Sequence, residues 1–245
     1  MIRLNENDTL LFIGDSITHG GRLPSMDLNH IMGHGFAEMV ASRLGAENLE
    51  RMPRFINKGI SGETSVAIAA RWEADALAYA PTVINLLAGA NDVNRSTELP
   101  VCEVLRSYTG AIENMLEKTR RALPNSLIFL CEPFYLDVQN QSEPYANIPH
   151  AKSEEDFAFS NATRIESRIL AIKERLLAMQ AALPGLAEKY GAVFVPLQDV
   201  FDAAAAKASP SYLIWDNIHP TMVGHRLIAD RWLEIATPAF AARNG

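Results

Sequence analysis

Short apolar runs alternate with longer amphipathic segments along this 245-residue chain. The runs have the length of buried strands: Leu10–Ile13, Arg54–Asn57, Val83–Leu87, Leu127–Leu130 and Ala192–Val195. Helical patterns occupy the segments between and after them: Gly35–Leu44, Thr64–Tyr79, Val101–Ala122, Asn161–Tyr190 and Thr221–Ile235. Because strands joined by helices form a parallel sheet covered on both faces, the sequence predicts an α/β fold. We expect a three-layer α/β/α sandwich with a five-stranded parallel sheet, formed as a single domain over residues 1–245.

The charge balance excludes several classes of partner. The formal net charge is −7, whereas nucleic acids and anionic membrane surfaces attract basic patches. We therefore expect no nucleic acid and no membrane among the partners of this protein. The first residues carry acids where a secretion signal would be basic, and Cys102 and Cys131 are far apart, as buried free thiols in a reducing compartment would be. These features predict a cytoplasmic location.

Glycine-containing polar motifs follow the first three predicted strands. They are Gly14-Asp15-Ser16, Gly59-Ile60-Ser61-Gly62 and Gly89-Ala90-Asn91-Asp92. Open α/β sheets bind their ligands at the carboxyl ends of the strands, so we expect these motifs to meet at one edge of the sheet. A serine in such a place is a weak nucleophile unless a base removes its proton. A nucleophilic serine therefore also needs a base and a group that orients this base.

Asp216 and His219 provide that pair near the far end of the chain. In a predicted loop, the Asp216 carboxylate can meet one imidazole nitrogen while the other nitrogen faces Ser16. Acyl transfer places negative charge on a carbonyl oxygen, which a glycine N–H and the Asn91 amide could stabilise. The sequence thus indicates a metal-independent serine esterase that forms a covalent acyl-enzyme and needs no cofactor.

Each of these signals also has a purely structural explanation. Asp15 and Ser16 favour helix N-caps, Gly62 favours a turn, and a lone histidine before a proline is usually a surface residue. The alternative hypothesis is a non-catalytic flavodoxin-like binding module, in which Ser16 and Gly62 would cradle an anion. The pairing of Asp216 with His219 disfavours that alternative, because binding an anion does not require an oriented neutral imidazole.

Taken together, the motifs resemble the blocks that name the SGNH hydrolases, also called GDSL-type esterases. The matching blocks are Gly14-Asp15-Ser16, Ile60-Ser61-Gly62-Glu63-Thr64, Gly89-Ala90-Asn91-Asp92 and Asp216-x-x-His219. The resemblance implies a flavodoxin-like sheet with Ser16 as nucleophile, His219 as base and Asp216 as its partner. It also implies an oxyanion hole formed by the Ser16 and Gly62 backbone amides and the Asn91 side chain. The G-x-S-x-G motif of ordinary α/β-hydrolases is absent.

Within that family, several segments are most similar to bacterial carbohydrate esterases of the acetylxylan-esterase type. These segments are Leu11–Thr18, Asn57–Gly62, Ala70-Arg71-Trp72 and Trp215–Pro220. The resemblance implies removal of acetyl groups from the xylose units of short oligosaccharides, by a homo-oligomer. Lysophospholipase or acyl thioesterase activity is the alternative, because the family includes both with the same catalytic residues. Asn94 departs from this group, which often has a tryptophan there.

Three further residues are predicted to contact the substrate, namely Asp15, Tyr135 and Trp215. Tyr135 belongs to residues 133–160, a long aromatic-rich excursion after the fourth predicted strand. Trp215 adjoins Asp216 and could shield the triad from water, stack on a sugar or simply pack in the core. His30 and His34 have a spacing found in metal sites, but no third ligand completes a zinc motif, so we expect no metal site.

Overall fold

A five-stranded parallel sheet forms the centre of the protein. The computed structural model describes residues 2–23, 27–138 and 166–244. The strands are β1 (Thr9–Gly14), β2 (Arg54–Asn57), β3 (Val83–Leu87), β4 (Leu127–Cys131) and β5 (Val193–Val195). They are ordered β2-β1-β3-β4-β5, and every neighbouring pair is parallel. The predicted sheet is therefore confirmed, with strand ends that differ by one residue at most.

Helices connect these strands and cover the sheet. The helices are α1 (Ser16–His19), α2 (Phe36–Glu47), α3 (Ser65–Ala70), α4 (Trp72–Asp75), α5 (Ala90–Asn94), α6 (Val101–Ala122), α7 (Glu166–Lys189), α8 (Gln198–Ala205), α9 (Pro210–Leu213) and α10 (Met222–Asn244). A 3₁₀ turn at Leu77–Tyr79 precedes β3. Among the described residues, no helix combines the length and the apolar content that crossing a membrane requires.

The two faces of the sheet bury different helices. On one face, α2 packs against α10, and Trp232 of α10 stands against Phe12 of β1 and Phe129 of β4, with ring centroids 6.1 and 4.7 Å away. On the other face, α6 packs against α3 and α7. There the fully buried Trp72 donates a hydrogen bond from Nε1 to Thr119 Oγ1 at 3.0 Å, which satisfies a polar group removed from water. The predicted three layers are confirmed.

Two predicted helices differ from the observed ones. The helix predicted over residues 64–79 is broken at Arg71, which has non-helical φ and ψ of −104° and 7° and ends α3. The last helix continues through Pro238 to its end at Asn244, although a proline removes one backbone hydrogen bond. Tertiary contacts hold these last turns, since the Phe240 ring stacks on Phe129 and the Arg243 guanidinium pairs with Asp8.

The strand order leaves a crevice above β1 and β3. The chain leaves β1 toward one side of the sheet, where it forms β2, and then returns to the other side as β3. Ligands of open α/β sheets bind at such a reversal, outside the carboxyl ends of the strands. Ser16 directly follows β1 at this point, and Asn91 follows β3. The fold thus brings two of the predicted site residues to one edge.

The two cysteines are free and differ in their surroundings. Cys131 is buried in β4, and its Sγ lies 3.0 Å from Asn85 Oδ1. Cys102 is exposed near the start of α6, so the expectation that both thiols are buried holds only for Cys131. An amphipathic helix shows one stripe to water, and Cys102 falls on that stripe.

Candidate active site

Ser16 stands at a turn that only glycine permits between β1 and α1. A Cβ atom on Gly14 would lie 2.2 Å from the Leu87 carbonyl oxygen and 2.4 Å from Thr18 Oγ1, so the strand end needs a residue without a side chain. Asp15 then caps α1, because its Oδ1 accepts the Ile17 N–H at 3.0 Å. Ser16 is the first residue of that helix. The local sequence therefore fixes the serine at the edge of the sheet.

His219 reaches this serine from a tight turn ahead of α10. Asp216 Oδ1 accepts the backbone N–H of His219 at 2.8 Å and that of Ile218 at 3.2 Å, while Asn217 has a φ of 78°. The same Asp216 carboxylate contacts the ring, with Oδ2 2.6 Å from His219 Nδ1. On the other side of the ring, His219 Nε2 lies 2.7 Å from Ser16 Oγ. The structure thus brings the three predicted catalytic side chains into one hydrogen-bonded chain.

Burial and the neighbouring carboxylates act on the pKa of the His219 imidazole in opposite directions. Burial by itself would lower the pKa of His219, but the hydrogen bond and charge of Asp216, together with the charge of Asp15, outweigh it. The pKa of His219 is consequently raised above its usual 6.5. Only the neutral imidazole can accept the serine proton, so this shift increases the basicity of the group that must act as base.

Gly62 and Asn91, the predicted oxyanion donors, line one cavity together with Ser16. Gly62 has a φ of 82°, a conformation that side-chain-bearing residues rarely adopt, and it lines the same cavity as Ser16. Asn91 donates one Nδ2 hydrogen bond to the Glu63 carbonyl oxygen at 3.1 Å. A primary amide carries two N–H donors, so one remains for a ligand. Asp92 joins α5 to the first residue of α3, because its carboxylate accepts hydrogen bonds from Ser65 N at 2.9 Å and from Ser65 Oγ at 2.5 Å.

A cavity of about 760 Å³ opens beside the serine, and most of the residues that line it have polar side chains. It is lined by Ser16, Ser61, Gly62, Asn91, Asn94, Arg95, Thr97, Glu98 and His219. Sequence reasoning missed the wall formed by residues 95–98, because an irregular segment between two helices has no periodicity that marks it. The position of Asn94, where related sequences often have tryptophan, was the only signal that pointed there.

Arg175 fixes this cavity wall from behind. Its side chain on α7 is 7% exposed, and its guanidinium donates hydrogen bonds to the carbonyl oxygens of Ser96 at 3.1 Å and Thr97 at 3.0 Å. It also donates to Leu99 O, and to Ala171 O at 2.8 Å on its own helix. One buried cation therefore satisfies carbonyl groups along an irregular segment that has no secondary structure of its own.

The three predicted substrate contacts fall in different environments. Asp15 is 1% exposed, because its carboxylate turns inward to cap α1, and burial raises its pKa to about 7. Tyr135 is 5% exposed, and its hydroxyl has no hydrogen-bond partner among the residues that the structure describes. Neither of these side chains, nor that of Trp215, is among the residues that line the cavity beside Ser16, and their contact with a substrate stays a prediction. Trp215 is 49% exposed and stacks on His219 with ring centroids 6.0 Å apart, so it remains accessible beside the base. The rest of the 133–160 excursion, from residue 139 onward, lies outside the described residues.

His30 and His34 pack against each other at the surface. Their ring centroids are 5.4 Å apart in an edge-to-face arrangement, and His30 Nε2 lies 3.5 Å from Asp27 Oδ2. Within the part of the chain that the structure describes, no group of three or more histidine, cysteine, aspartate or glutamate side chains is arranged to hold a metal ion.

The site combines Ser16, His219 and Asp216 in hydrogen-bond contact with a glycine and an asparagine nearby, at the carboxyl edge of a parallel sheet. This combination is typical of a serine acylhydrolase. The model of the GDSL-like lipase/acylhydrolase family matches residues 12–227, and the chain belongs to this family. It is thus an esterase of the SGNH type, which excludes the non-catalytic flavodoxin-like module.

Known relatives cover nearly the whole chain. An acetylxylan esterase from Geobacillus stearothermophilus is 28% identical over 238 residues, which is 95% of each protein. The crystal structure of that organism's acetylxylan esterase Axe2 has a TM-score of 0.70 at 27% identity, over 94% of each chain. A structure from Parabacteroides merdae, assigned to the GDSL-like lipases, has a TM-score of 0.76 at 28% identity, over 96% of this chain and 97% of that one.

Proposed function

We propose that this protein removes acetyl groups from acetylated carbohydrates through a covalent acyl-enzyme on Ser16. The observation that carries the proposal is the contact chain from Ser16 Oγ to His219 Nε2, at 2.7 Å, and from His219 Nδ1 to Asp216 Oδ2, at 2.6 Å. These contacts end at a cavity that is lined mostly by residues with polar side chains and is large enough for a sugar ring and its neighbours.

In the first half-reaction, His219 Nε2 accepts the Ser16 hydroxyl proton as Oγ attacks the acetyl carbonyl carbon. The carbonyl oxygen becomes an oxyanion, which accepts hydrogen bonds from the Ser16 and Gly62 backbone amides and from the free Asn91 N–H. The protonated imidazole, stabilised by Asp216, then donates its proton to the sugar oxygen as the ester bond breaks. The deacetylated sugar leaves, and Ser16 retains the acetyl group as an ester.

In the second half-reaction, a water molecule takes the place of the sugar. His219 accepts a proton from this water, whose oxygen attacks the acyl carbon, and the same donors stabilise the second oxyanion. The proton returns to Ser16 Oγ as the acyl bond breaks, and acetic acid is released as acetate. The cycle consumes one water and requires no redox change.

The composition of the cavity supports a hydroxyl-rich alcohol as leaving group. Ser61, Thr97, Arg95 and Glu98 supply hydrogen-bond donors and acceptors of both charges around the entrance. The half-exposed Trp215 offers a flat apolar surface next to the base, on which a sugar ring could lie. A lysophospholipase or thioesterase would instead need an extended apolar groove, since each buried methylene contributes about 0.8 kcal/mol. The similarity to an acetylxylan esterase supports the same substrate class.

The proposal is tested by measuring kcat/KM for 4-nitrophenyl acetate, butyrate and octanoate, and acetate release from acetylated xylo-oligosaccharides. We expect acetate to be the best of the three synthetic esters and the oligosaccharides to be deacetylated, with Ser16→Ala inactive on both. A rise in kcat/KM from acetate to octanoate would contradict the acetyl-esterase proposal in favour of the lysophospholipase or thioesterase alternative.

We also propose that the protein acts as a homo-oligomer in the cytoplasm. Two free thiols, one of them exposed, fit a reducing compartment. Light scattering coupled to size-exclusion chromatography measures the mass of the particle, and a mass of 27.0 kDa, that of one chain, would contradict the oligomer.

A further inference from the structure

Arg71 lies between α3 and α4, directly behind the oxyanion donors. Its side chain is 14% exposed, and its guanidinium contacts three acceptors on three different segments. Nε and Nη2 each lie 2.7 Å from Glu63 Oε2, and Nη1 lies 3.1 Å from Asp75 Oδ2. Nη2 also donates to the Gly14 carbonyl oxygen at 3.5 Å. The planar donor set of arginine suits such simultaneous contacts, whereas a lysine ammonium does not.

Two of these acceptors belong to segments that carry catalytic groups. Glu63 follows Gly62, and the Glu63 carbonyl oxygen accepts the Asn91 Nδ2 hydrogen bond at 3.1 Å. Gly14 ends β1, two residues before Ser16. Arg71 therefore forms an ion pair with Glu63, whose carbonyl oxygen binds the Asn91 amide. It also contacts Gly14 at the end of β1, two residues before Ser16.

The third acceptor, Asp75, joins Arg71 to a cluster that also contains Lys58 and Glu63, and Arg22 lies near enough to interact electrostatically with Arg71 and Asp75. Asp75 accepts from Lys58 Nζ at 3.0 Å as well as from Arg71. Burial would raise the pKa of Asp75, but the hydrogen bonds and charges of these two cations outweigh it and lower the pKa below 3.8. Arg71 and Lys58 thus contact carboxylates in a partly buried position, where ion pairs are screened less than at the surface.

We propose that Arg71 is a positioning residue of the oxyanion hole, which holds the Glu63 peptide so that Asn91 presents its free N–H to the reacting carbonyl. The inference rests on the proposed role of Asn91 as oxyanion donor. Without Arg71, the Glu63 side chain loses its ion-pair partner, and the 63–64 peptide, whose carbonyl oxygen accepts the Asn91 hydrogen bond, can shift. Displacement of a catalytic donor by about 1 Å lowers rates by up to about 10²-fold. Arg71 is not among the residues that line the cavity beside Ser16, so ground-state binding of the substrate should change little.

The test compares kcat and KM of the wild type, Arg71→Gln and Arg71→Lys on 4-nitrophenyl acetate. For Arg71→Gln we expect kcat to fall about 10- to 100-fold while KM changes less than about threefold, as for a loss of transition-state stabilisation. For Arg71→Lys, which keeps the charge but not the fork of donors, we expect an intermediate kcat. Ser16→Ala is measured alongside. Residual activity in Ser16→Ala would contradict the proposed function, whereas an inactive Ser16→Ala with full kcat in Arg71→Gln would overturn the inference about Arg71 alone.

Arg243→Gln provides the matched control for a general loss of stability. Arg243 is 17% exposed and pairs with Asp8 at the opposite end of β1, far from the carboxyl edge. We expect Arg243→Gln to lower the thermal midpoint but to leave kcat of the folded protein unchanged. An equal fall in kcat for both variants would show that Arg71 acts only through stability, which overturns the proposal.

A double-mutant cycle with Asn91→Ala tests the route of the effect. Residues that act through one another show non-additive changes, so Arg71→Gln should reduce kcat less in the Asn91→Ala background than in the wild type. The full reduction in both backgrounds would overturn a route through Asn91.

If Arg71→Gln does not fold, Glu63→Gln removes the charge that pairs with Arg71 while keeping the side-chain shape. It should show the same selective loss of kcat, and an unchanged kcat would overturn the proposal.

Discussion

The imidazole Nδ1 of His225 accepts a hydrogen bond from the backbone N–H of Phe36 at 3.2 Å. This contact joins α10 to the first residue of α2, where helix N–H groups lack partners within their own helix. A Cβ atom on Gly35 would lie 3.0 Å from His225 Cε1, so the imidazole packs closely against this helix start. Burial, together with the nearby His219, lowers the pKa of His225 to about 4. The folded protein thus favours the neutral imidazole of His225, which accepts the hydrogen bond from the start of α2.

This pKa predicts how stability responds to acid. Between about pH 6.5 and 4 the unfolded chain binds a proton at His225 that the folded chain does not, so the contribution of His225 to stability falls as the pH falls through this window. The full shift corresponds to at most about 3 kcal/mol. We expect the difference in unfolding free energy between wild type and His225→Gln to shrink by about 1–3 kcal/mol from pH 7.5 to pH 4.5.

Urea unfolding at several pH values measures this difference. Comparison with His225→Gln is required because Asp15, whose pKa is raised to about 7, contributes with the opposite sign in the same range. Its contribution cancels between the two proteins. An unchanged difference from pH 7.5 to 4.5 would show that His225 is not held neutral.

The catalytic triad predicts that Ser16→Ala and His219→Ala each lower kcat by at least about 10⁴-fold, with the fold intact, because nucleophile and base act as one unit. The double variant should be about as slow as either single variant. Ester hydrolysis and circular dichroism provide the two measurements. A double variant far slower than both single variants would mean that the two residues act independently.

Asn91→Ala should lower kcat by about 10²–10³-fold with little change in KM, because an oxyanion donor acts mainly in the transition state. Asn94→Ala, one turn away on the same helix and in the same cavity, provides the control. We expect it to alter KM rather than kcat. If Asn91→Ala loses thermal stability but keeps a normal kcat in the folded fraction, Asn91 has a structural role only.

Activity should rise with pH through the titration of His219, with a midpoint above 6.5 because the pKa of this imidazole is raised. The charge of Asp15 contributes to that shift, so Asp15→Asn should move the rising limb of kcat/KM toward lower pH. Asparagine keeps the oxygen that caps α1, which separates the effect of charge from that of capping. A profile that is flat between pH 5 and 8, with acylation limiting, would exclude His219 as the base.

The parts of the structure that the sequence predicted correctly rest on strong local patterns. Apolar runs marked the strands, and the Gly14-Asp15-Ser16 turn placed Ser16 because a glycine at a strand end has a steric reason that is readable from residue types alone. For Asp15 the sequence offered both a helix N-cap and a substrate contact, and it could not decide between them because both roles suit the same polar side chain. The ion pairs of Arg71 with Glu63 and Asp75 were not predictable from the sequence either. Charged residues at these spacings are typical of a solvated helix face, and the sequence pattern did not show the break between α3 and α4 at which Arg71 lies.

The hydrogen bonds of Arg175 hold the backbone of the cavity wall independently of the Ser16, His219 and Asp216 contacts. Its guanidinium holds backbone carbonyl oxygens only, so the path of the cavity wall does not depend on which side chains the wall carries. Substitutions at Thr97 or Glu98 can therefore change which alcohol the cavity accepts while the wall keeps its course and Ser16 keeps its geometry. A chain built in this way can acquire a new substrate through one or two surface changes, without first rebuilding its reaction centre.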